Sequence, residues 1–229
     1  MLRQVTANNP QFIGTFTLWE PNAFDGQDAL YAGQAPYDHT GRFIAYWNRN
    51  EHGNIQVETP VDYEIAGPGD YYQLPKRTRQ ECVIEPYVYP VQGKEVLMTS
   101  VVVPIIVDGQ FYGIAGIDVG LEFLQELADG VHIFDGTGEL VLISNKGTLA
   151  GVTGRPDLVG QSAQAVHADL EEDLTSIQAG QEIIETMGGE IEIFVPVEFG
   201  HAQTPWSVNL LVPYSQITAQ ATTSMWRLV

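Results

Sequence analysis

Alternating apolar and polar residues predict a series of β-strands in the first half of the chain. Residues 12–20 (FIGTFTLWE) alternate and are rich in Phe, Thr and Trp. The segments FIAYWNRN and NIQVETPV read as a hairpin around a turn at residues 51–53. Three further strands are predicted, with turns at residues 92–94 and 108–109 between them: residues 82–89, 96–106 and 110–119.

Helical patterns interrupt these strands and also appear in the second half. Residues 70–74 (DYYQL) are predicted to form a short helix or turn that Pro75 stops, and residues 121–128 an amphipathic connecting helix. Beyond them we predict a hairpin in VHIFDGTGELVLIS with its turn at 135–136, a helix at 166–179, strands in EIIETM, EIEIFVPVEF and WSVNLLVPY, and a C-terminal helix from Pro213. Antiparallel strands with helices at their ends indicate the α+β class.

The two halves follow the same order of elements. Residues 103–118 and 195–210 both run from Val-Pro through a polar turn to an apolar strand that leads into a helix. This suggests two copies of one sheet-and-helix module, with boundaries at 1–122 and 123–222 and a separate final segment at 223–229. Asp118 in the first copy corresponds to Leu210 in the second, so the first copy is the candidate for a polar site.

Composition indicates a folded and strongly acidic protein. Of the 229 residues 44% are hydrophobic, and ten basic against 29 acidic residues give a net charge of −19. Such a surface repels nucleic acids and anionic lipids and draws cations towards any cleft, although the acidity can equally serve solubility alone. The single cysteine, Cys82, excludes an internal disulfide.

We expect both ends of the sequence to be points at which a longer protein was truncated. No run of 18 apolar residues is present, and residues 1–4 lack a signal-peptide pattern. The last residues, 226–229, become increasingly apolar, as expected at the start of a membrane-directed helix.

Motifs for catalysis, cofactors and metals are missing from the sequence. It has no phosphate-binding glycine loop, no Gly-x-Ser-x-Gly elbow and no Cys-His signature. Its five histidines are never at metal-ligand spacing, and residues 135–139 (DGTGE) fit a hairpin turn better than a calcium loop. We therefore expect no enzymatic activity, no catalytic residues, no cofactor and no metal.

Aromatic residues gather around one acid in the first module. Tyr46 and Trp47 are adjacent on a predicted strand and so face opposite sides, whereas Tyr87 and Tyr89 share a face. Tyr72 is either a lid over the site or a hydrophobic plug. The acid is Asp118, near the end of the strand predicted at 110–119. A buried carboxylate requires a partner, which here is either a cation of the ligand or an arginine of the chain, Arg42 or Arg49. Ring faces attract cations. The predicted ligand-binding residues are thus Tyr46, Trp47, Tyr72, Tyr87, Tyr89 and Asp118.

Five segments resemble a known family: WEPNAFDGQD, GRFIAYWNR, DYYQLPK, EPYVYPVQGKEVLMTS and PIIVDGQFYGIAGIDV. They are similar to the double Cache (PAS-like) extracytoplasmic sensor domains of bacterial methyl-accepting chemotaxis receptors and sensor histidine kinases. The resemblance implies a membrane-distal ligand-binding module, a membrane-proximal module and a long N-terminal helix that is largely missing here. It further implies the periplasmic or extracellular part of an inner-membrane protein that is membrane-anchored and homodimeric at full length.

The resemblance also implies a ligand class. Amino-acid-sensing members bind the ligand's amino group through an acid at the position of Asp118 and a Tyr-x-Asp pair, which here is Tyr87-x-Tyr89. Their carboxylate-binding arginine corresponds to Ala45. The WEPNAFDG variant is more similar to receptors for amines, polyamines or quaternary ammonium compounds. The expected partner is therefore a small nitrogenous ligand, whose binding closes residues 70–74 over the site; a purine, an amino acid, or a ligand-free structural or protein-binding spacer are the alternatives.

Overall fold

The computed structural model describes residues 1–133, 136–167 and 170–218, which form two compact units. Unit 1 comprises Met1–Gly120 together with Phe199–Gln203, and unit 2 begins at Leu121, close to the predicted boundary after residue 122. The predicted segment 223–229 lies outside the described residues. Within the described ranges no helix combines the length and apolar character needed to span a bilayer.

Unit 1 is built on a seven-stranded antiparallel sheet. The strands lie in the order β3-β2-β1-β7-β6-β4, and β5 also pairs with β6. The elements are α1 (Leu2–Asn8), β1 (Phe12–Trp19), α2 (Asp28–Tyr31), β2 (Ile44–Arg49), β3 (Ile55–Glu58), α3 (Asp70–Thr78), β4 (Cys82–Val83), β5 (Tyr87–Val91), β6 (Lys94–Val107) and β7 (Gln110–Gly120).

The middle of this sheet is its most buried part. β1 is hydrogen-bonded to β2 on one side and to β7 on the other. Its side chains alternate between the two faces, so Phe16 and Leu18 point into the main core, while Thr15 lies on the face that α1 covers. The core consists of Phe16, Leu18, Ile44, Tyr46, Tyr71, Tyr72, Cys82, Ile84, Tyr89, Val91, Met98, Val102, Phe111 and Ile114.

Two local predictions for unit 1 need correction. Helix α3 does not stop at Pro75 but continues to Thr78 and ends where Arg79 takes a left-handed conformation. The proline removes one amide donor, whereas the buried tyrosines at 71 and 72 anchor the helix on the core, so packing outweighs the lost bond. The single strand predicted at 82–89 is two strands, β4 and β5, separated at Pro86, which has no amide to donate to the ladder.

Unit 2 carries a five-stranded antiparallel sheet in the order β10-β11-β12-β8-β9. Its elements are α4 (Leu121–Gly130), β8 (Glu139–Ile143), β9 (Leu149–Val152), α5 (Leu170–Gln178), β10 (Ile183–Met187), β11 (Glu190–Val197) and β12 (Trp206–Pro213). The helix predicted from 166 is described only from Leu170, preceded by a 3-10 turn at Ala163–Ala165. The predicted turn at 135–136 lies partly outside the described residues. The two antiparallel sheets with their helices confirm the α+β class and the tandem modules.

Candidate functional site

A cavity opens on the core face of the sheet in unit 1, at the end of β7 that precedes α4. Its lining brings together three strands of the sheet centre, strand β5, helix α3 and the connection between β3 and α3. It encloses about 10 Å³, which is room for about one water molecule. The lining consists of Phe16, Tyr46, Pro60, Tyr71, Tyr87, Tyr89 and Asp118.

The aromatic rings of the lining meet edge to face. Tyr89 is the hub, with ring centroids 5.7 Å from Tyr71, 6.0 Å from Tyr87 and 6.3 Å from Tyr46. Phe16 closes the circle at 5.6 Å from Tyr71. This geometry is favourable for ring quadrupoles and leaves little empty space. The hollow expected from the sequence is therefore nearly filled in this conformation.

Asp118 is the only charged residue of the lining. Its side chain is nearly inaccessible, with the residue 3% exposed, and Ser100 Oγ donates a hydrogen bond of 2.5 Å to its Oδ1. Because the Ser100 proton is used in this bond, the Tyr87 hydroxyl at 2.8 Å acts as the donor to Ser100 Oγ. Burial raises the pKa of Asp118 to about 7, against the opposing effects of the hydrogen bond from Ser100 and of the Tyr46 hydroxyl.

The Tyr46 hydroxyl lies beside this acid and interacts with it. The residue is 2% exposed, and its hydroxyl is near enough to the Asp118 carboxyl to lower the pKa of that acid, although the two groups do not meet in the regular geometry of a hydrogen bond. Burial, followed by the nearby Asp118 charge, raises the pKa of Tyr46 well above its usual value, so the hydroxyl keeps its proton. The proton of this hydroxyl is therefore available to the Asp118 carboxylate, while its oxygen can still accept a hydrogen bond from a further donor.

Neither candidate arginine neutralises Asp118. Arg42 is buried, donates from Nε to the Trp19 carbonyl and from Nη2 to the Tyr72 hydroxyl. The guanidinium of Arg49 bonds to the Thr6 carbonyl on the opposite face of the sheet. In the part of the chain that the structure describes, no Lys, Arg or His nitrogen lies within salt-bridge distance of Asp118.

Four of the six predicted ligand-binding residues lie together in the lining, namely Tyr46, Tyr87, Tyr89 and Asp118. Trp47 does not, because its neighbour Tyr46 points into the core and strand alternation turns Trp47 towards α1. Its backbone carbonyl accepts a bond from Thr6 there.

Tyr72 also lies outside the lining, although it is almost fully buried. Its hydroxyl donates to Glu20, its ring lies 4.8 Å from the guanidinium carbon of Arg42, and Lys76 pairs with the same glutamate at 2.9 Å. Tyr72 therefore holds α3 against the end of β1. The hydrogen bonds from Tyr72 and Lys76 outweigh burial and lower the pKa of Glu20.

Sequence reasoning missed four residues of the site: Phe16, Pro60, Tyr71 and Ser100. Tyr71 was available in the DYYQL segment, but adjacent helical residues point about 100° apart and the choice between it and Tyr72 needed the helix orientation. Ser100 lies directly opposite Asp118 in the β6–β7 ladder. Phe16 carried a signal, since it falls on the apolar positions of the strand predicted at 12–20.

The buried acid makes the stability of the empty protein depend on pH. Because the folded pKa of Asp118 is about 7 and its ordinary value is 3.8, the folded state holds a proton that the unfolded state loses between these values. Stability from this group is therefore present at low pH and is lost as the pH rises towards 7. We expect Asp118→Asn to raise the unfolding free energy by about 2–3 kcal/mol more at pH 8 than at pH 5.

Urea unfolding at the two pH values measures this difference. Asp108, which is exposed in the turn of the same β6–β7 hairpin, gives a matched control as Asp108→Asn, for which the same difference should be close to zero. An equal response of both variants would show that Asp118 is not the titrating group.

Comparison with known families gives one match over more than half of the chain. Residues 1–126 match the family described as "Methyl-accepting chemotaxis protein-like, first PDC sensor domain". The matched range contains all of the cavity-lining residues.

Similar proteins extend over nearly the whole chain. Methyl-accepting chemotaxis protein TlpQ of Pseudomonas aeruginosa is 31% identical, over 96% of this chain and 33% of its own length. The extracellular domain of mmHK1S-Z3, described as a histidine kinase, is 33% identical with a TM-score of 0.82, covering 97% and 80% of the two chains. The ligand-binding domain of the amino acid chemoreceptor PctB of Pseudomonas aeruginosa, in complex with L-Arg, shares the fold at 18% identity and a TM-score of 0.51, covering 94% and 71%.

Proposed function

Since this chain belongs to the methyl-accepting chemotaxis protein-like family of PDC sensor domains, we propose that unit 1 binds a small protonated amine at Asp118. The ammonium group would pair with the buried carboxylate and contact the surrounding tyrosine rings. Tyr46 would offer its hydroxyl oxygen as a further acceptor. Binding would then shift the balance between two packings of unit 1, which is the signal.

Family membership carries several properties directly. Domains of this family are extracytoplasmic ligand-binding sensors of membrane chemoreceptors and sensor histidine kinases, and they are not catalytic. The predicted family, the location outside the cytoplasm and the absence of an enzymatic role are thereby confirmed. The particular ligand and the residues that hold it are our proposal.

The observation that carries the proposal is the unpaired Asp118 carboxyl in an aromatic cavity. A carboxylate in such a site is destabilised by burial, as its pKa of about 7 reflects, and a ligand cation reverses this penalty. Aromatic rings add to the attraction through their negative faces. The strongly negative net charge of −19 further raises the concentration of cations near the protein.

Amino acids and purines fit the lining less well. An α-carboxylate needs a cationic partner, and the lining residues include none. Ala45, at the position of the arginine in amino-acid-sensing relatives, is fully buried in the sheet. A flat purine needs parallel ring faces between which to stack, whereas the described rings of the lining are edge to face.

The role of the whole protein follows by inference from its relatives. The chain spans about a third of the length of TlpQ, one of the curated relatives that it matches. We propose that the full-length protein is a membrane-anchored homodimeric receptor in which unit 1 is the membrane-distal module and unit 2 the membrane-proximal module. No nucleic acid partner is proposed, given the acidic charge.

A thermal-shift panel tests the amine proposal. Putrescine, tetramethylammonium, L-arginine and adenine represent diamines, quaternary ammonium compounds, amino acids and purines. A ligand present at 100 times its dissociation constant should stabilise unit 1 by about 2.7 kcal/mol. We expect a shift with an amine and none with adenine; a panel without any shift would favour the structural or protein-binding spacer instead.

A further inference from the structure

The cavity must open before any organic ligand can enter. Its 10 Å³ hold about one water molecule, while putrescine alone has six heavy atoms and needs several times that space. The proposed function therefore requires that part of the wall moves, and the structure distinguishes the movable part from the fixed one.

Most of the wall is locked into the sheet. Asp118, Phe16 and Tyr46 lie on β7, β1 and β2, each of which is hydrogen-bonded to a neighbouring strand on both sides. Strand β5, with Tyr87 and Tyr89, pairs with β6 along its whole length. Moving any of these would break backbone ladders.

Residues 59–69, hereafter the strap, connect β3 to α3 and contribute Pro60 to the lining. The strap has neither strand nor helix structure, and most of its residues are exposed, Val61 at 44% and Ile65 at 53%. Such a segment opens at a lower free-energy cost than the strands beside it.

Two tyrosines of the cavity fasten the strap. The Tyr71 hydroxyl donates to the Val61 carbonyl at 2.6 Å, and the Val61 amide donates to the Tyr89 hydroxyl at 2.9 Å. The backbone amide and the backbone carbonyl of one residue, Val61, are thus both held by side chains that line the cavity, and a ligand that engages these tyrosines competes with these two hydrogen bonds.

We propose that the strap is the gate of the amine site, and that the Tyr71 and Tyr89 hydroxyls latch it shut over Pro60 in the empty protein. The inference rests on the proposed function and adds the route of entry. Because the closed strap leaves no room for a ligand, the bound state holds the strap displaced. Removing one of these latch hydrogen bonds should therefore speed ligand association and increase the affinity, whereas removing a contact to the ligand would decrease the affinity.

Hydrogen exchange of the unliganded protein provides the first test. In Tyr71→Phe the Val61 amide keeps its acceptor, the Tyr89 hydroxyl, and only the bond from Tyr71 to the Val61 carbonyl is lost. We expect its exchange to accelerate about fivefold, the effect of one hydrogen bond on an opening equilibrium. Val61 protection equal to that of the β1–β7 ladder, or unchanged by this substitution, would overturn the gate.

A second variant loosens the strap without touching the lining. An added Cβ at Gly69 would lie 2.3 Å from the Asp62 carbonyl oxygen and 2.6 Å from that of Ile65, both in the strap. Gly69→Ala should therefore accelerate exchange across the strap as well. Gly130→Ala is the matched control, since nothing lies within 4 Å of its added Cβ, and it should leave the strap unchanged.

Stopped-flow binding of putrescine, or of the panel amine that binds, gives the final readout. We expect about fivefold faster association and tighter binding in Tyr71→Phe and Gly69→Ala. Weaker binding in Tyr71→Phe without a change in exchange would identify that hydroxyl as a ligand contact and overturn the latch. If no amine binds while exchange responds as expected, the amine proposal and the gating role both fail, although the opening itself stands.

Discussion

The Asp118→Asn variant should bind the amine about 30- to 5,000-fold more weakly than the wild type. Removing one partner of a buried, hydrogen-bonded charge pair costs about 2–5 kcal/mol, which corresponds to that range. The amide is nearly isosteric with the carboxyl and can still accept the bond from Ser100, so the fold should be retained. Isothermal titration with the amine found in the panel measures the loss.

Proton release separates this loss of charge from an indirect effect. In the wild type the amine selects the ionised form of Asp118, whose pKa is about 7, so binding should release a proton near and below pH 7. Affinity should fall about tenfold for each pH unit below this value. Titrations in two buffers of different ionisation enthalpy detect the proton, and the Asp118→Asn variant should release none. The control variant Asp108→Asn should bind and release as the wild type does.

Gly41→Ala should destabilise unit 1 by at least about 3 kcal/mol. Gly41 has φ of 89°, and a Cβ there would lie 1.7 Å from the carbonyl oxygen of Asp28. Backbone cannot yield as a flexible side chain can, so the loop 33–41 would have to separate from α2. The following residue, Arg42, would then lose its fixed position between β1 and α3.

Gly53→Ala isolates the backbone contribution to this effect. Gly53 has a similar φ of 76°, but nothing lies within 4 Å of its added Cβ. We expect a loss of about 1 kcal/mol, from strain alone. Urea unfolding followed by tyrosine fluorescence gives both values. If the two variants lost similar amounts of unfolding free energy, the close approach of the Asp28 carbonyl would not be the reason that position 41 requires glycine.

The register of the β6–β7 hairpin shows how a local irregularity decides the site. With the two-residue turn at 108–109 and a regular ladder, Thr99 would lie opposite Asp118. A bulge between Ile105 and Ile106 shifts the register by one residue, so Ser100 lies there instead and donates to the carboxyl. Because side chains alternate along a strand, such a shift exchanges the two faces of β6 relative to β7.

Helix α3 gives the complementary case. The sequence indicated a helical segment with two adjacent tyrosines and selected Tyr72 for the site. The anchoring of Tyr72 between Glu20 and Arg42 orients the helix so that Tyr71, rather than Tyr72, contacts the cavity. Partners that are 30 or more positions away set this orientation.

Alternation along the strands and the order of elements were enough to predict the α+β class, the two modules and the acid with Tyr46, Tyr87 and Tyr89 as its neighbours. The class and the modules depend on the period of two along each strand and on the order of elements, which are visible along the sequence. The tyrosines were predicted because they cluster in short segments of the same module, and the fold brings them to Asp118 from β2 and β5, each separated from β7 by one strand. The Ser100 partner, the role of Tyr71, the distant positions of Trp47 and Tyr72 and the near-filling of the cavity arose only in the folded chain. They depend on a bulge, on helix orientation and on side-chain packing between elements far apart in sequence, and no local pattern encodes those.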